Sequence, residues 1–186
     1  MDKILYIFDF DNTLVESKSC VYITNGTVKK CLTSAMFRDY KPKPGDTFDF
    51  SEFDNTPVKG KIIRPVFDEL RHILESSEQQ AVTVLTARGR VFPVKSYLAK
   101  RGIKNVKIIA LGSTDPNDKA MYIQDRLISG NYVMVRLFED DRRNISSIKD
   151  AVLNVGIPVQ VNRVISDNKS RFQIKKKSYK PKGKTC

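Results

Sequence analysis

Apolar residues in this chain fall into two alternating patterns. Short unbroken runs, beginning with Ile4-Leu5-Tyr6-Ile7-Phe8, are separated by stretches in which apolar residues recur every three or four positions. An unbroken run reads as a strand buried on both faces of a parallel sheet, because a half-exposed strand would alternate with polar residues. Ala81-Val82-Thr83-Val84-Leu85, Val106-Lys107-Ile108-Ile109-Ala110-Leu111, Tyr132-Val133-Met134-Val135-Arg136-Leu137-Phe138 and Val159-Gln160-Val161-Asn162-Arg163-Val164 predict four more strands. Between them, Pro65 can open a helix with a Val66, Leu70, Ile73 and Leu74 stripe, and a second helix carries Val94, Tyr97 and Leu98 and stops near Gly102. Asp115-Pro116 reads as the N-cap and first residue of a third, reaching about Ser129. Ile145, Ile148, Ala151 and Val152 mark a fourth. This alternation predicts an α/β, Rossmann-like parallel sheet of about five strands with helices on both faces.

The pattern breaks between the first strand and Pro65. Two β-prone runs flank Asn25-Gly26, which predicts a hairpin with a two-residue turn. A turn centred there sets Cys20 opposite Cys31 as a hydrogen-bonded pair, about 5.5 Å apart at Cα and within disulfide range. The intracellular setting inferred below favours free thiols instead. Thr33 or Ser34 can cap a short helix that Pro42 and Pro44 would stop. Phe48, Phe50 and Phe53 then alternate with acids, a pattern able to lay rings on the domain and leave carboxylates in water. Residues 32–60 are thus an irregular insert and a possible lid.

Charge changes the picture at the other end. The 186 residues carry a net charge of +12, yet from Lys169 to Cys186 there are eight basic residues and no acid. We read 1–168 as one domain and 169–186 as a basic, disordered tail suited to a polyanion, with Lys175, Lys176 and Lys177 as candidate nucleic-acid contacts. No apolar stretch approaches the roughly 20 residues that span a bilayer. The amino-terminal residues show no secretory cleavage pattern, so the expected setting is intracellular, hence cytoplasmic. A sole histidine, His72, leaves no His/Cys set for zinc.

Polar groups gather where the predicted strands end. Asp9 and Asp11 end the first, Thr86 and Arg88 the second, Asp140 and Asp141 the fourth, and Lys119 stands in the first turn of the helix begun by Pro116. In open α/β sheets ligands bind outside the carboxyl ends of the strands. A carboxylate between Phe8 and Phe10 needs a cation, a metal or a donor. A lysine is also poorly placed for its own helix dipole at an amino-terminal turn, so a partner is expected for it. Carboxylates from two strands suit a hard cation such as Mg²⁺, and a hydroxyl with an ammonium suits a phosphoryl group.

Asp9-Phe10-Asp11-Asn12-Thr13-Leu14, Leu85-Thr86-Ala87-Arg88, Lys119 and Phe138-Glu139-Asp140-Asp141 resemble, in order, the four motifs of the haloacid dehalogenase (HAD) superfamily of phosphohydrolases. The resemblance covers residues 1 to about 165. It implies a HAD-like fold and a two-step phosphoryl transfer in which Asp9 attacks phosphorus to give an aspartyl-phosphate and Asp11 serves as acid, then base. Asp9, the Asp11 main-chain carbonyl and an acid of the fourth motif would hold Mg²⁺, while Thr86 and Lys119 would bind phosphoryl oxygens and Arg88 would flank them. Either Glu139-Asp140 or Asp140-Asp141 can be aligned to the metal-binding pair; the expected ligand is Asp141, supported by Asp140. Asn12 stands where many members have Gly.

Both usual positions for a substrate-covering cap hold too few residues, so the resemblance points to an uncapped site open to macromolecules, unless 32–60 forms an unusual lid. With the basic tail, this is similar to nucleic-acid end-repair phosphatases of the superfamily, including virus-encoded ones, whose setting would be a host cytoplasm. The implied substrate is the phosphorylated end of DNA or RNA. Two readings stand beside it: a phosphatase of nucleotides or other small esters with 32–60 as lid, and a non-catalytic nucleic-acid-binding protein on a HAD scaffold.

Overall fold

A computed structural model describes residues 3–55, 58–76, 81–167 and 171–181. The first half of the chain forms β1 (Lys3–Phe8), β2 (Val15–Ser17), β3 (Cys20–Asn25), β4 (Val28–Thr33), α1 (Ser34–Arg38), β5 (Thr47–Asp49), α2 (Ser51–Asp54), β6 (Gly60–Ile62), α3 (Arg64–Glu75) and β7 (Ala81–Thr86). The second half forms α4 (Val91–Ala99), β8 (Lys107–Ala110), α5 (Pro116–Ile128), β9 (Tyr132–Glu139), α6 (Arg142–Asn154), β10 (Val159–Ser166) and β11 (Phe172–Tyr179). Among the described residues the central sheet has the order β11-β10-β9-β1-β7-β8, parallel except for β11.

The unbroken apolar run of β1 is divided residue by residue between two cores, as side chains alternate across a sheet. Tyr6 and Phe8 join Val66, Phe67 and Leu70 of α3 and Val94 and Leu98 of α4. Leu5 and Ile7 face the other way, onto Ile123 and Leu127 of α5 and Ile148 and Val152 of α6. Helices therefore cover both faces, and strand order reverses about β1, which lies between β9 and β7. That reversal opens a crevice at the carboxyl ends of β1 and β9. No described helix is long and apolar enough to cross a membrane.

Three expectations are corrected. The hairpin turn is Gly26-Thr27, not Asn25-Gly26: Asn25 pairs with Val28, and Tyr22, not Cys20, lies opposite Cys31. Asn25 stays in the strand because its amide donates to the Pro44 carbonyl and to Asp46, while Gly26 takes the positive φ the turn requires. Cys20 and Cys31 are not free thiols but form a disulfide, with Cα atoms 5.4 Å apart.

The third correction concerns the tail. Residues 172–179 form β11, antiparallel to β10, because Phe172 and Ile174, two residues apart, cover the edge of the first core. Lys169, Lys182 and Lys184 lie outside the described residues. Ile174→Asn is expected to cost about 1 kcal/mol in urea unfolding and to speed hydrogen exchange at β11 amides. Unchanged exchange would mean that the strand is not held by this contact.

Candidate active site

Phe8 and Phe138 lock the register beneath the site. They face each other across β1 and β9 with stacked rings 4.3 Å apart, and the Asp9 amide donates to the Phe138 carbonyl at 3.0 Å. Asp9 and Glu139 therefore leave neighbouring strands side by side. The chain next turns back sharply: the Asn12 amide donates to the Val15 carbonyl at 2.7 Å, and Asn12 adopts φ 61°. After glycine, asparagine enters that left-handed region most readily. The Asn12 side-chain amide also donates to Ser34 Oγ at 2.8 Å, tying the turn to α1.

Lys119 has the compensation its helix position demanded. Buried at the start of α5, its Nζ donates to Asp9 Oδ1 at 2.7 Å and to Glu139 Oε2 at 2.8 Å. Burial acts to lower its pKa, but the two carboxylates outweigh burial and hold it above the ordinary lysine range. Burial, with Glu139 adding to it and Lys119 opposing, pushes Asp9 up to about 7. Glu139 and Asp140 are raised as well, each chiefly by burial. One metal-sized group of acids results: carboxylate oxygens of Asp9, Glu139 and Asp140 lie within 4.8 Å of one another. Thr86, buried at the end of β7, also lines the cleft.

The fourth motif is arranged differently from the expectation. Asp141 is the N-cap of α6, with Oδ1 accepting from the Arg143 amide at 2.8 Å and Oδ2 from the Arg143 guanidinium at 2.9 Å. Burial acts to raise the Asp141 pKa, but the Arg143 hydrogen bonds hold it below the usual carboxylate value. It is Asp140, not Asp141, that joins Asp9. The physical reason is helix initiation: the residue before α6 must satisfy amides that have no partner in the first turn.

Arg88, expected to flank a phosphate, lines the cleft and is engaged there by Asp11. Its Nε donates to Asp11 Oδ2 at 2.8 Å and its NH2 to Asp11 Oδ1 at 2.7 Å, a bidentate pair, while NH1 donates to the Phe53 carbonyl at 2.6 Å. Ser17 and Ser19 Oγ accept from NH2 at 3.2 and 3.4 Å, and the rings of Phe10 and Phe53 flank the guanidinium at 5.3 and 5.0 Å. With its side chain 1% exposed, Arg88 positions Asp11 and fastens α2 to the site.

Of the two possibilities left by the sequence, an open site or a lid, the cleft has a lid-like wall. A three-stranded sheet, β4-β3-β5, carries α1 and α2, whose vicinity contributes Phe37, Arg38, Tyr40, Phe50 and Phe53 to a cleft of about 700 Å³ that also holds Asp9, Asp11, Thr86, Lys119 and Asp140. Edge-on ring contacts at 5.3 to 5.7 Å join Phe37 to Phe48 and Phe50. Polar contacts dock the wall, among them Ser34 to Asn12, Phe53 to Arg88, Asp54 to Arg90 at 3.5 Å, and Arg38 to Asp140 at 2.7 Å.

Arg38 is the site residue that sequence reasoning missed. It lies 102 positions from its partner and belongs to no recognisable motif, so only its place on a capped helix could have drawn notice. Lys175, Lys176 and Lys177 lie on β11, outside the cleft lining. Neither a protein-family model nor a curated protein matches this chain.

Proposed function

We propose that the protein is a Mg²⁺-dependent phosphoric monoester hydrolase of HAD type, acting through an aspartyl-phosphate on the phosphorylated end of DNA or RNA. The observation that carries the reading is convergence: Asp9, Asp11, Thr86, Lys119 and Asp140, distant in sequence, line one cleft. Three clustered carboxylates facing one lysine and one arginine leave excess negative charge in a buried place, and an all-oxygen set of this kind fits a hard divalent cation. Asp9, Asp140 and the Asp11 main-chain carbonyl would hold the ion, which when bound supplies charge neutralisation at the phosphoryl oxygens.

The chain's own groups then have definite tasks. Lys119 engages Asp9 Oδ1, and no hydrogen bond among the described residues engages Oδ2. An Asp9 carboxylate oxygen attacks phosphorus; the bond to the leaving oxygen breaks, and that oxygen takes a proton from Asp11. Water, giving its proton back to Asp11, then cleaves the acyl phosphate and restores Asp9. Arg88 presets the Asp11 carboxylate while each of its oxygens keeps a lone pair for exchange. Thr86 and Lys119 hold phosphoryl oxygens.

A second reading, hydrolysis of free nucleotides or other small esters, is favoured by the aromatic wall of Phe37, Phe50 and Phe53. Phosphate release from 3′- and 5′-phosphorylated oligonucleotides and from mononucleotides, with Mg²⁺ or with EDTA, separates the two. Oligonucleotides are expected to be preferred and EDTA to stop turnover. Preference for mononucleotides would select the second reading, and turnover in EDTA would remove the metal.

Asp140 and Asp141 are expected to differ. Asp140→Ala should raise the Mg²⁺ concentration for half-activity by roughly tenfold or more. Asp141→Ala should instead cost about 1 kcal/mol of stability through the lost cap, with a smaller change in Mg²⁺ requirement. The opposite result in a calorimetric Mg²⁺ titration would restore Asp141 as the ligand.

A further inference from the structure

A line of cations leaves the cleft across the sheet edge. Glu139 pairs in register with Arg163, and Arg163 with Lys175. Neighbouring strands are about 4.8 Å apart, so Lys175 stands about 10 Å outward from the acid cluster along the sheet. Which face these side chains take follows from strand parity. Arg163 shares its face with Val159 and Val161, which pack on the α6 side, whereas Val164 packs on the α3 side. On β11, Lys175 and Lys177 share a face with Tyr179, which packs in the α6-side core. Lys149 of α6 and Lys177 both lie over its ring, at 5.7 and 5.2 Å. Lys176 shares the opposite face with Phe172 and Ile174. Arg142, the first residue of α6 and the chain neighbour of the cleft-lining Asp141 and Arg143, completes the set near Arg163.

These cations are gathered rather than neutralised. Among the described residues, Arg142, Arg163, Lys175 and Lys177 form no salt bridge, and the buried Arg163 Nε has no hydrogen-bond partner. The Arg163 pKa is lowered by burial and then by the nearby Arg142 guanidinium, with Arg38 adding to them and Asp140 and Asp141 acting in the other direction. Lysines on an edge strand also discourage unwanted sheet extension. That role accounts for β11 but not for Arg163 on an inner strand or Arg142 on a helix. The cleft of about 700 Å³ has the size for one terminal nucleotide, not two paired strands.

We propose that Arg142, Arg163, Lys175 and Lys177 form a track for the phosphodiester backbone of a single-stranded nucleic acid whose phosphorylated end enters the cleft. The position of that end rests on the phosphatase reading; the track itself does not. Backbone contact of this kind is independent of sequence and strongly salt-dependent.

The test uses the full chain carrying Asp9→Asn and end-phosphorylated, fluorescent single strands of about 12 nucleotides, DNA and RNA in separate arms, titrated at several salt concentrations. Four contacts predict a slope of log affinity against log salt near about −3, roughly −0.7 per contact. Lys175→Glu/Lys177→Glu is expected to weaken binding at least about tenfold and to flatten the slope by about 1.4. The neutral pair Lys175→Gln/Lys177→Gln should move both in the same direction if charge reversal disturbs β11. Lys176→Glu, on the other face, should stay within about twofold of the parent. Equal losses from Lys176→Glu, or competition by mononucleotides as effective as by oligonucleotides, would overturn the track. So would retention on phosphatidylserine vesicles without oligonucleotide binding, which assigns the face to a membrane. Phosphate release from p-nitrophenyl phosphate by the unsubstituted chain is measured separately. Its absence alongside the predicted salt slope would defeat the phosphatase reading and leave the track standing.

Discussion

Asp9→Asn is expected to give a folded protein whose phosphate release falls by more than about 10⁴-fold, because an amide cannot form the proposed acyl phosphate. The informative part is the accompanying stability. Burial and Glu139 raise Asp9 from 3.8 to about 7, so the folded state holds its proton more tightly than the unfolded state does. For an acid raised in this way, stability is lost as pH climbs from about 4 through about 7. The amide does not ionise, so in EDTA the substituted protein should match the parent near pH 4 and exceed it at pH 8 in thermal unfolding. Loss of turnover with retained or increased stability ties the defect to chemistry. A residual rate above about one per cent of the parent's would defeat the nucleophile assignment.

Arg88→Met should have the largest effect on stability. The guanidinium is surrounded by Asp11, the Phe53 carbonyl, Ser17 and Ser19, and removing it leaves a carboxylate and a carbonyl with no donor in a nearly dry place. Breaking a buried pair from one side costs several kcal/mol. Asp11 keeps some contact with water, its side chain being 14% exposed, so the lower end, about 3 kcal/mol, is expected. For a chain of this size that is roughly 6–12 °C in Tm. Adding Asp11→Asn should recover part of the loss, since the stranded charge is then gone. Arg88→Lys, which keeps charge but not the fork, should fall between. A melting temperature unchanged in Arg88→Met, or no recovery in the double substitution, would show that the pair contributes nothing to holding the wall on the site.

The two substitutions probe different kinds of residue. Asp9 does its proposed work directly on the reacting atoms, and the loss should fall on kcat. Arg88 acts through Asp11 and through α2, so kcat and KM should both change as the carboxylate loses its orientation and the wall loosens.

Much of this arrangement was legible in the chain because it depends on local chemistry and on strand direction. Short apolar runs alternating with helical stripes read as strands covered on both faces, and parallel strands necessarily deliver their carboxyl ends to one edge. Asp9, Asp11, Thr86, Asp140 and the Lys119 helix turn therefore converge whatever the packing details. Phe172 and Ile174 also held a signal for β11, alternate apolar positions, which the surrounding lysines outweighed in a reading by composition.

What tertiary structure decided were choices between neighbouring positions and between competing partners. Asp140 and Asp141 are chemically alike, and the start of α6 took one as its cap and left the other beside Asp9. Arg88 could have reached a phosphate or a carboxylate; its guanidinium is buried against Ser17, Ser19 and the Phe53 carbonyl, and from there it forks onto Asp11. Arg38 gained its place only when α1 folded back across the cleft. Topology can be inferred from a repeating pattern because it averages over many residues, whereas the pairing of one charged side chain depends on distances of a few ångströms set by the whole packed chain.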